Sequence, residues 1–350
     1  MKDFKRLGYR VTACAPLDAH AEEVKNQLKR SNIEFISIQL KKTGLNAFSD
    51  LTAFISFYRI LLKIKPEIVY LYNIKPVIYG SIAAKLTGTR KIHSTITGLG
   101  SVFISNQIMM RALRRLIEGL YKIGLRFNTK IFFQNPDDLN FFVARRIVSK
   151  DKAFLVNGSG VDLSYYSIAP LPKKISFIMV ARLMKDKGIH EYLEACKNLK
   201  ERYPNIVCYL FGNLDANPSS LTKKDLNCLV DRKIVNYIDG LTDVRAALAK
   251  ASVFVLPSYR EGTSRATLEA MATGRPIITT DAPGCRETVV NGINGYLVPV
   301  RNSIALANAM EKFILHPKII QRMGKESRRI VEEKYDVKKV NKTIIKAMEV

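Results

Sequence analysis

Residues 252–281 read SVFVLPSYREGTSRATLEAMATGRPIITTD. A β-branched and aromatic run, SVFVLPS, comes first. A short loop holding Gly262 follows. Apolar periodicity then predicts a helix starting near Thr263 or Ser264. A second β-rich run, RPIITTD, closes the unit. Strand, loop, helix and strand in that order make one step of a parallel, helix-covered sheet. Two carboxylates lie in this step. Glu261 sits in the loop, and Glu269 sits deeper in the helix, on the face opposite Met271.

The same alternation extends both ways. Upstream strand-like runs are YRVTACA (9–15), IEFISI (33–38), EIVYLY (67–72), RKIHSTIT (90–97), TKIFFQ (129–134) and KAFLVN (152–157), with amphipathic stretches such as 45–64 and 136–148 between them. NGSGVDLSYYSIAPLPKK (157–174) is rich in turn residues and reads as an interdomain linker. The pattern then restarts with ISFIMVA (175–181), a helix over 186–200, NIVCYLFG (205–212), IVNYIDG, SVFVLPS, RPIITTD and NGYLVP. The chain is therefore α/β, with two doubly wound units in tandem. The expected boundaries are 1–165, 166–330 and a C-terminal helix, 331–350, packing back towards the first unit. The first unit opens oddly. FKRLGYR reads as the end of a helix entering a strand. The first strand and Gly-rich loop that a doubly wound sheet normally carries near its middle are expected to be missing.

Composition narrows the classes. A chain of 350 residues, 47% hydrophobic, suits two cores rather than one. No apolar run reaches the ~18 residues of a membrane span, and the charged start, MKDFKRLGYR, is no signal peptide. The five cysteines form no CxxC and read as buried thiols of a reducing compartment. The net charge of +25 is spread over both halves: 26 basic and 12 acidic residues in 1–172, 30 and 19 in 173–350. Nucleic-acid binders concentrate such charge, so no nucleic-acid partner is expected. An anionic membrane surface or a phosphate-bearing substrate fits equally.

Candidate chemistry gathers where strands of the second unit end, as such folds place ligands. After 175–181 comes ARLMKDKG, in which Arg182 and Lys187 bracket the turn into a helix. Two cations there oppose the helix dipole unless an anion sits between them. A solvated basic turn is the other reading. Beside the second strand exit, Gly262 allows close backbone approach, and the free N–H groups of Gly262 and Thr263 can donate to phosphate or sugar oxygens. Glu261 stands beside whatever they hold, and Glu269 can accept from a vicinal diol such as ribose. Alternatively, Glu261 is a favourable charge before a helix and Glu269 a solvent-facing acid. No D-x-D pair occurs, so no metal is expected, and diphosphate charge falls to Arg182 and Lys187. TGLGSVF (97–103) has Phe103 where a G-x-G-x-x-G motif needs its third glycine.

PSYREGTSRATLEAMATGRPIITTDAPGCRETVVNGINGYLVP resembles the donor-site signature of retaining glycosyltransferases of family 4. There two acids are separated by seven intervening residues, matching Glu261 and Glu269. VARLMKDKG resembles the family's diphosphate-binding turn, and NGSGVD its interdomain hinge. The resemblance implies a GT-B fold, two Rossmann-like domains facing a cleft. It implies Arg182 and Lys187 on the diphosphate, Glu269 on the ribose, and Glu261, Gly262, Thr263 and Ser264 at the donor, with Glu261, Arg182 and Lys187 in catalytic roles. ITGLGSVF, FGNLDANPSS and PSYREG…GCRE resemble most a bacterial subgroup adding an N-acetylhexosamine to undecaprenyl-diphosphate-linked saccharides of capsule, O-antigen or glycan assembly. Many members carry histidine where this chain has Thr97. The nearest here is His93, four residues earlier and inside a strand run.

NQIMMRALRRLIEGLYKIGLRF (106–127) recurs in Arg111, Arg115, Glu118, Lys122 and Arg126 at helical spacing, with Met109, Leu113, Leu116 and Leu120 as a second stripe. It reads as a basic amphipathic helix lying on an anionic leaflet, with Phe103 and Ile104 nearby, or as a helix packed on its own sheet. The resulting expectation is a cytoplasmic, peripheral membrane enzyme. It would use a UDP-sugar as donor, a lipid-linked saccharide as acceptor, and no further cofactor. The rivals are a non-catalytic nucleotide-sugar-binding remnant or assembly partner, and a sugar-nucleotide epimerase.

Overall fold

The computed structural model describes residues 1–17, 21–40, 47–100, 103, 108–214, 220–240 and 243–349. Ile104, the first residues of the stretch 106–127, and parts of ITGLGSVF and FGNLDANPSS lie outside the described residues, as does the Met109 side chain. The chain divides into two compact units. One holds Met1–Ile96, Arg115–Phe132 and Arg145–Ala153. The other holds Thr97–Arg114, Phe133–Ala144 and Phe154–Val350. The described residues of 97–114, and residues 133–144, thus belong to the second unit although they precede the linker.

The first part of the chain runs α1 (Lys2–Arg6), β1 (Thr12–Ala15), α2 (Ala21–Arg30), β2 (Glu34–Ser37), α3 (Ala47–Ile64), β3 (Ile68–Tyr72), α4 (Ser81–Leu86), β4 (Lys91–Ile96), α5 (Ile108–Leu125), β5 (Lys130–Phe133), α6 (Pro136–Ala144) and β6 (Ala153–Leu155). Each of the six upstream runs read as strands is one. They form two sheets: β1 with β2 in parallel, and β3-β4-β5-β6 in that order. β1 is only half-buried, whereas five of the six residues of β4 are buried.

The second part runs β7 (Ser176–Val180), α7 (Ile189–Arg202), β8 (Val207–Gly212), α8 (Lys223–Asp231), β9 (Asn236–Asp239), α9 (Val244–Ala249), β10 (Val253–Leu256), α10 (Arg265–Ala272), β11 (Ile277–Thr280), β12 (Gly295–Val298), α11 (Ser303–Leu315), α12 (Lys318–Lys334) and α13 (Val337–Met348). One six-stranded sheet has the order β12-β11-β10-β7-β8-β9, parallel throughout. Every residue of β7, β10 and β11 is buried. Burial on both faces is why these runs show no polar–apolar alternation; the hydroxyls of Thr279 and Thr280, the polar side chains of β11, donate to the Leu256 and Ser258 carbonyls. The chain leaves β7 towards β8 and β9, then returns to β10 on its other side. The strand order reverses between β7 and β10, where open α/β sheets bind ligands.

Two tethers close the second unit. Arg275 is wholly buried and donates to the carbonyls of Leu248, Ala169 and Pro170 at 3.2, 3.0 and 2.8 Å. Burial pulls its pKa down to about 10. Val161 donates to Tyr335 O at 2.8 Å and accepts from Val337 N at 3.0 Å, tying the turn-rich segment to the start of α13. Among the described residues no helix is long and apolar enough to cross a membrane.

Candidate active site

The exits of β7 and β10 are stitched together at the reversal point. A 3-10 turn, Lys185–Lys187, ends at Gly188, whose φ is +75°. A Cβ at Gly188 would stand 2.1 Å from the Pro257 carbonyl oxygen, so only glycine lets the two turns touch. Tyr259 N donates to Asp186 O at 2.9 Å, and the Ser258 hydroxyl donates to the same oxygen at 3.2 Å. This stitching brings Lys187 Nζ to 2.6 Å from Glu261 Oε1, with both side chains largely buried. The two groups assigned from sequence to diphosphate and sugar thus hold each other. Arg182 lies exposed just beyond β7 and its carbonyl accepts from Met184 N at 2.7 Å.

The loop after Glu261 is clamped on several sides. A Cβ on Gly262 would lie 2.2 Å from Thr97 O and 2.7 Å from Gln134 Oε1. The Thr263 hydroxyl donates to Gln134 O at 3.0 Å. Ser264 caps α10, its hydroxyl accepting from Thr267 N at 3.2 Å. Thr97 is therefore packed against the loop that follows Glu261. His93 is instead wholly buried within β4, in register with Tyr70 of β3.

Glu269 is 7% exposed, not solvent-facing, and its neighbour Met271 is also buried. Arg265 Nε donates to Glu269 Oε1 at 3.0 Å. Desolvation raises the pKa of Glu269, against the lowering effects of the Tyr166 hydroxyl and Arg265. A carboxylate held this way has its acceptor directions fixed, as recognition of a diol requires. Burial, reinforced by the Glu261 charge, pushes the nearby Cys285 thiol up to about 12, so it is no thiolate nucleophile at neutral pH.

Several residues of the site were not legible in the sequence. Asp138 is wholly buried and pairs with Arg260. Desolvation raises its pKa, opposed chiefly by Arg260. Arg286 bridges Asp137 Oδ2 at 3.1 Å and Asp281 Oδ1 at 2.6 Å. Asn135 donates to Gly262 O at 2.9 Å. The run NPDD signals a helix start, with proline at the first helical position. Nothing in it names partners more than a hundred residues away.

Two families match the chain: "Glycosyl transferases group 1" over residues 167–330 and "Glycosyl transferase 4-like" over 2–135. A Campylobacter jejuni protein named N,N'-diacetylbacillosaminyl-diphospho-undecaprenol alpha-1,3-N-acetylgalactosaminyltransferase is 25% identical over 87% of this chain and 83% of its own length. The Staphylococcus aureus capsular polysaccharide biosynthesis glycosyltransferase CapM is 26% identical over 88% and 83%. The crystal structure of Anabaena HepE with UDP and glucose superposes with a TM-score of 0.80, covering 98% of this chain and 93% of that one at 17% identity, a likeness of fold.

Proposed function

We propose that this chain, a GT-B glycosyltransferase related to the group 1 and 4-like glycosyl transferases, moves a sugar with retention from a UDP-sugar to a lipid-diphosphate-linked saccharide in bacterial capsule, O-antigen or glycan assembly. The sugar we favour is an N-acetylhexosamine, the class named for the Campylobacter relative. The observation that carries the reading is the Lys187–Glu261 pair at the reversal point, beside the capped start of α10. As the bond from the sugar to the diphosphate breaks, negative charge grows on the leaving oxygen. In this reading Lys187 and Arg182 supply the positive charge that meets it, without a metal. Glu261, released from Lys187 by the competing diphosphate, then orients the sugar and supports its positive character. Glu269 holds the ribose.

The acceptor class favours work at an anionic membrane surface, peripheral on the inner face of the cytoplasmic membrane. The exposed flank of α5 supports this. Leu116 and Ile123 are exposed, while Arg111, Arg115, Lys122 and Arg126 lie exposed around them. Helix α5 packs inward through Ile117, Tyr121 and Leu125 instead. Such a face combines apolar insertion with attraction to anionic headgroups.

The test is transfer from radiolabelled UDP-N-acetylhexosamines to lipid extracted from bacterial membranes, using the wild type and Lys187→Ala. A labelled lipid product that the variant fails to form supports the reading. UDP binding without transfer by the wild type, with any UDP-sugar, would favour the binder reading. The division of the first unit's strands into two sheets is the observation on that side.

A further inference from the structure

We infer that Asn135 is a positioning residue of the donor loop: it grips the carbonyls of Glu261 and Gly262 and so aims the N–H groups of Gly262 and Thr263 at the donor. The inference rests on the transferase reading for its purpose, but the grip itself is a set of hydrogen bonds. Asn135 is wholly buried within the second unit. Its Nδ2 donates to Gly262 O at 2.9 Å, to Asp138 Oδ2 at 3.0 Å and to Glu261 O at 3.3 Å. Its Oδ1 accepts from Asp138 N at 2.8 Å.

These partners settle which way the amide points. Three oxygens surround one end and a backbone N–H meets the other, so a flipped amide would set oxygen against oxygen at three contacts and N–H against N–H at the fourth. Because the peptide unit is planar and trans, each C=O points opposite to the N–H of the next residue. Turning the carbonyls of Glu261 and Gly262 towards Asn135 therefore turns the N–H groups of Gly262 and Thr263 away from it. A Cβ at Gly98 would come within 3.1 Å of Gly262 N, so glycine there keeps that approach clear of side chains. The ion pair of Arg260 with the wholly buried Asp138 holds the preceding residue of the loop to the same helix start. The α6 start and the loop 260–263 thus move as one body, and the Glu261 carboxylate inherits its position from them.

Two substitutions separate this role from simple support of the fold. Asn135→Ala removes both the α6 cap and the grip. Asn135→Ser keeps an oxygen that can accept from Asp138 N, as serine does at helix starts, but is too short to reach Gly262 O. Three readouts are compared with the wild type: hydrogen exchange of the amides of 261–263, kcat and KM for UDP-sugar, and the thermal midpoint. We expect Asn135→Ser to speed exchange at 261–263, and to lower kcat by about 10²-fold, the scale of an ångström-sized misplacement. KM and the midpoint should change little, and Asn135→Ala should lose kcat equally. Unchanged exchange at 261–263 in Asn135→Ser overturns the inference, as does a kcat within about threefold of the wild type. If the wild type transfers no sugar, the transferase reading fails on its own, and the exchange comparison still decides whether Asn135 sets the loop.

Discussion

The two units use the same alternation of strand and helix, yet their sheets differ. The second has six parallel strands in one sheet, with β7, β10 and β11 buried at every position. The first has its strands in two sheets, and β1 and β2 contain no buried residue. Full burial of one large aliphatic or aromatic side chain is worth about 1.5–3 kcal/mol, so the central strands of the second unit are anchored far more firmly. Rigidity is where a site needs it. Lys187, Glu261 and the α10 start all hang from the two innermost strands of the continuous sheet. On the proposed reading, the donor chemistry belongs to the half built on one continuous sheet.

The largest effect should come from the site. Lys187→Ala or Glu261→Ala is expected to cut transfer by about 10²–10³-fold, as loss of a preorganised charge does, while the protein stays folded. Near-normal turnover in steady-state assays of either variant would break the link between the firm sheet and the chemistry. Next, Arg275→Ala should destabilise the second unit by about 3–5 kcal/mol, because several buried carbonyls lose their charged donor. Urea unfolding followed by a probe in that unit checks it. A loss under about 1 kcal/mol would show that water can take the place of the guanidinium. Third, amides of β1 and β2 should exchange at least about tenfold faster than those of β7 and β10, since local opening follows burial. Equal protection in both sheets would erase the contrast between the units.

The smallest expected effect is electrostatic. Glu269 has its pKa raised above its ordinary 4.5 in the folded protein by burial. Between 4.5 and that higher value the folded state holds more protons than the unfolded chain. Its contribution to stability therefore falls as pH rises through that window. Glu269→Gln abolishes this dependence. The midpoint of the variant minus that of the wild type should rise as pH climbs above 4.5, then level off. Asp138 and Glu287, also raised by burial, cancel in the difference. A flat difference would show that Tyr166 and Arg265 compensate the desolvation fully.

Much of this was open to reading from the sequence alone. All twelve β-rich runs became strands, because buried parallel strands demand continuous β-branched and aromatic residues and short runs have few other uses for them. Gly262 marked a close backbone approach, and Ser264 a helix start, because those needs are local. The proximity of Glu261 to the β7 turn also followed, since a doubly wound sheet brings strand exits together. That the described residues of 97–114, and residues 133–144, belong to the second unit was not legible. Their strand and helix signals carry no mark of which core they join.

What the sequence by itself determined is the alternation, the class of fold and the places where the backbone must turn sharply. Each of these depends on interactions among near neighbours in the chain. Only the tertiary structure decided that Lys187 meets Glu261 across 74 positions and that Asn135 meets Gly262 across 127. It also withdrew Glu269 from water and sealed His93 inside a strand. A side chain's partner and its exposure are set by the packing of distant segments, and no local pattern of residues encodes them.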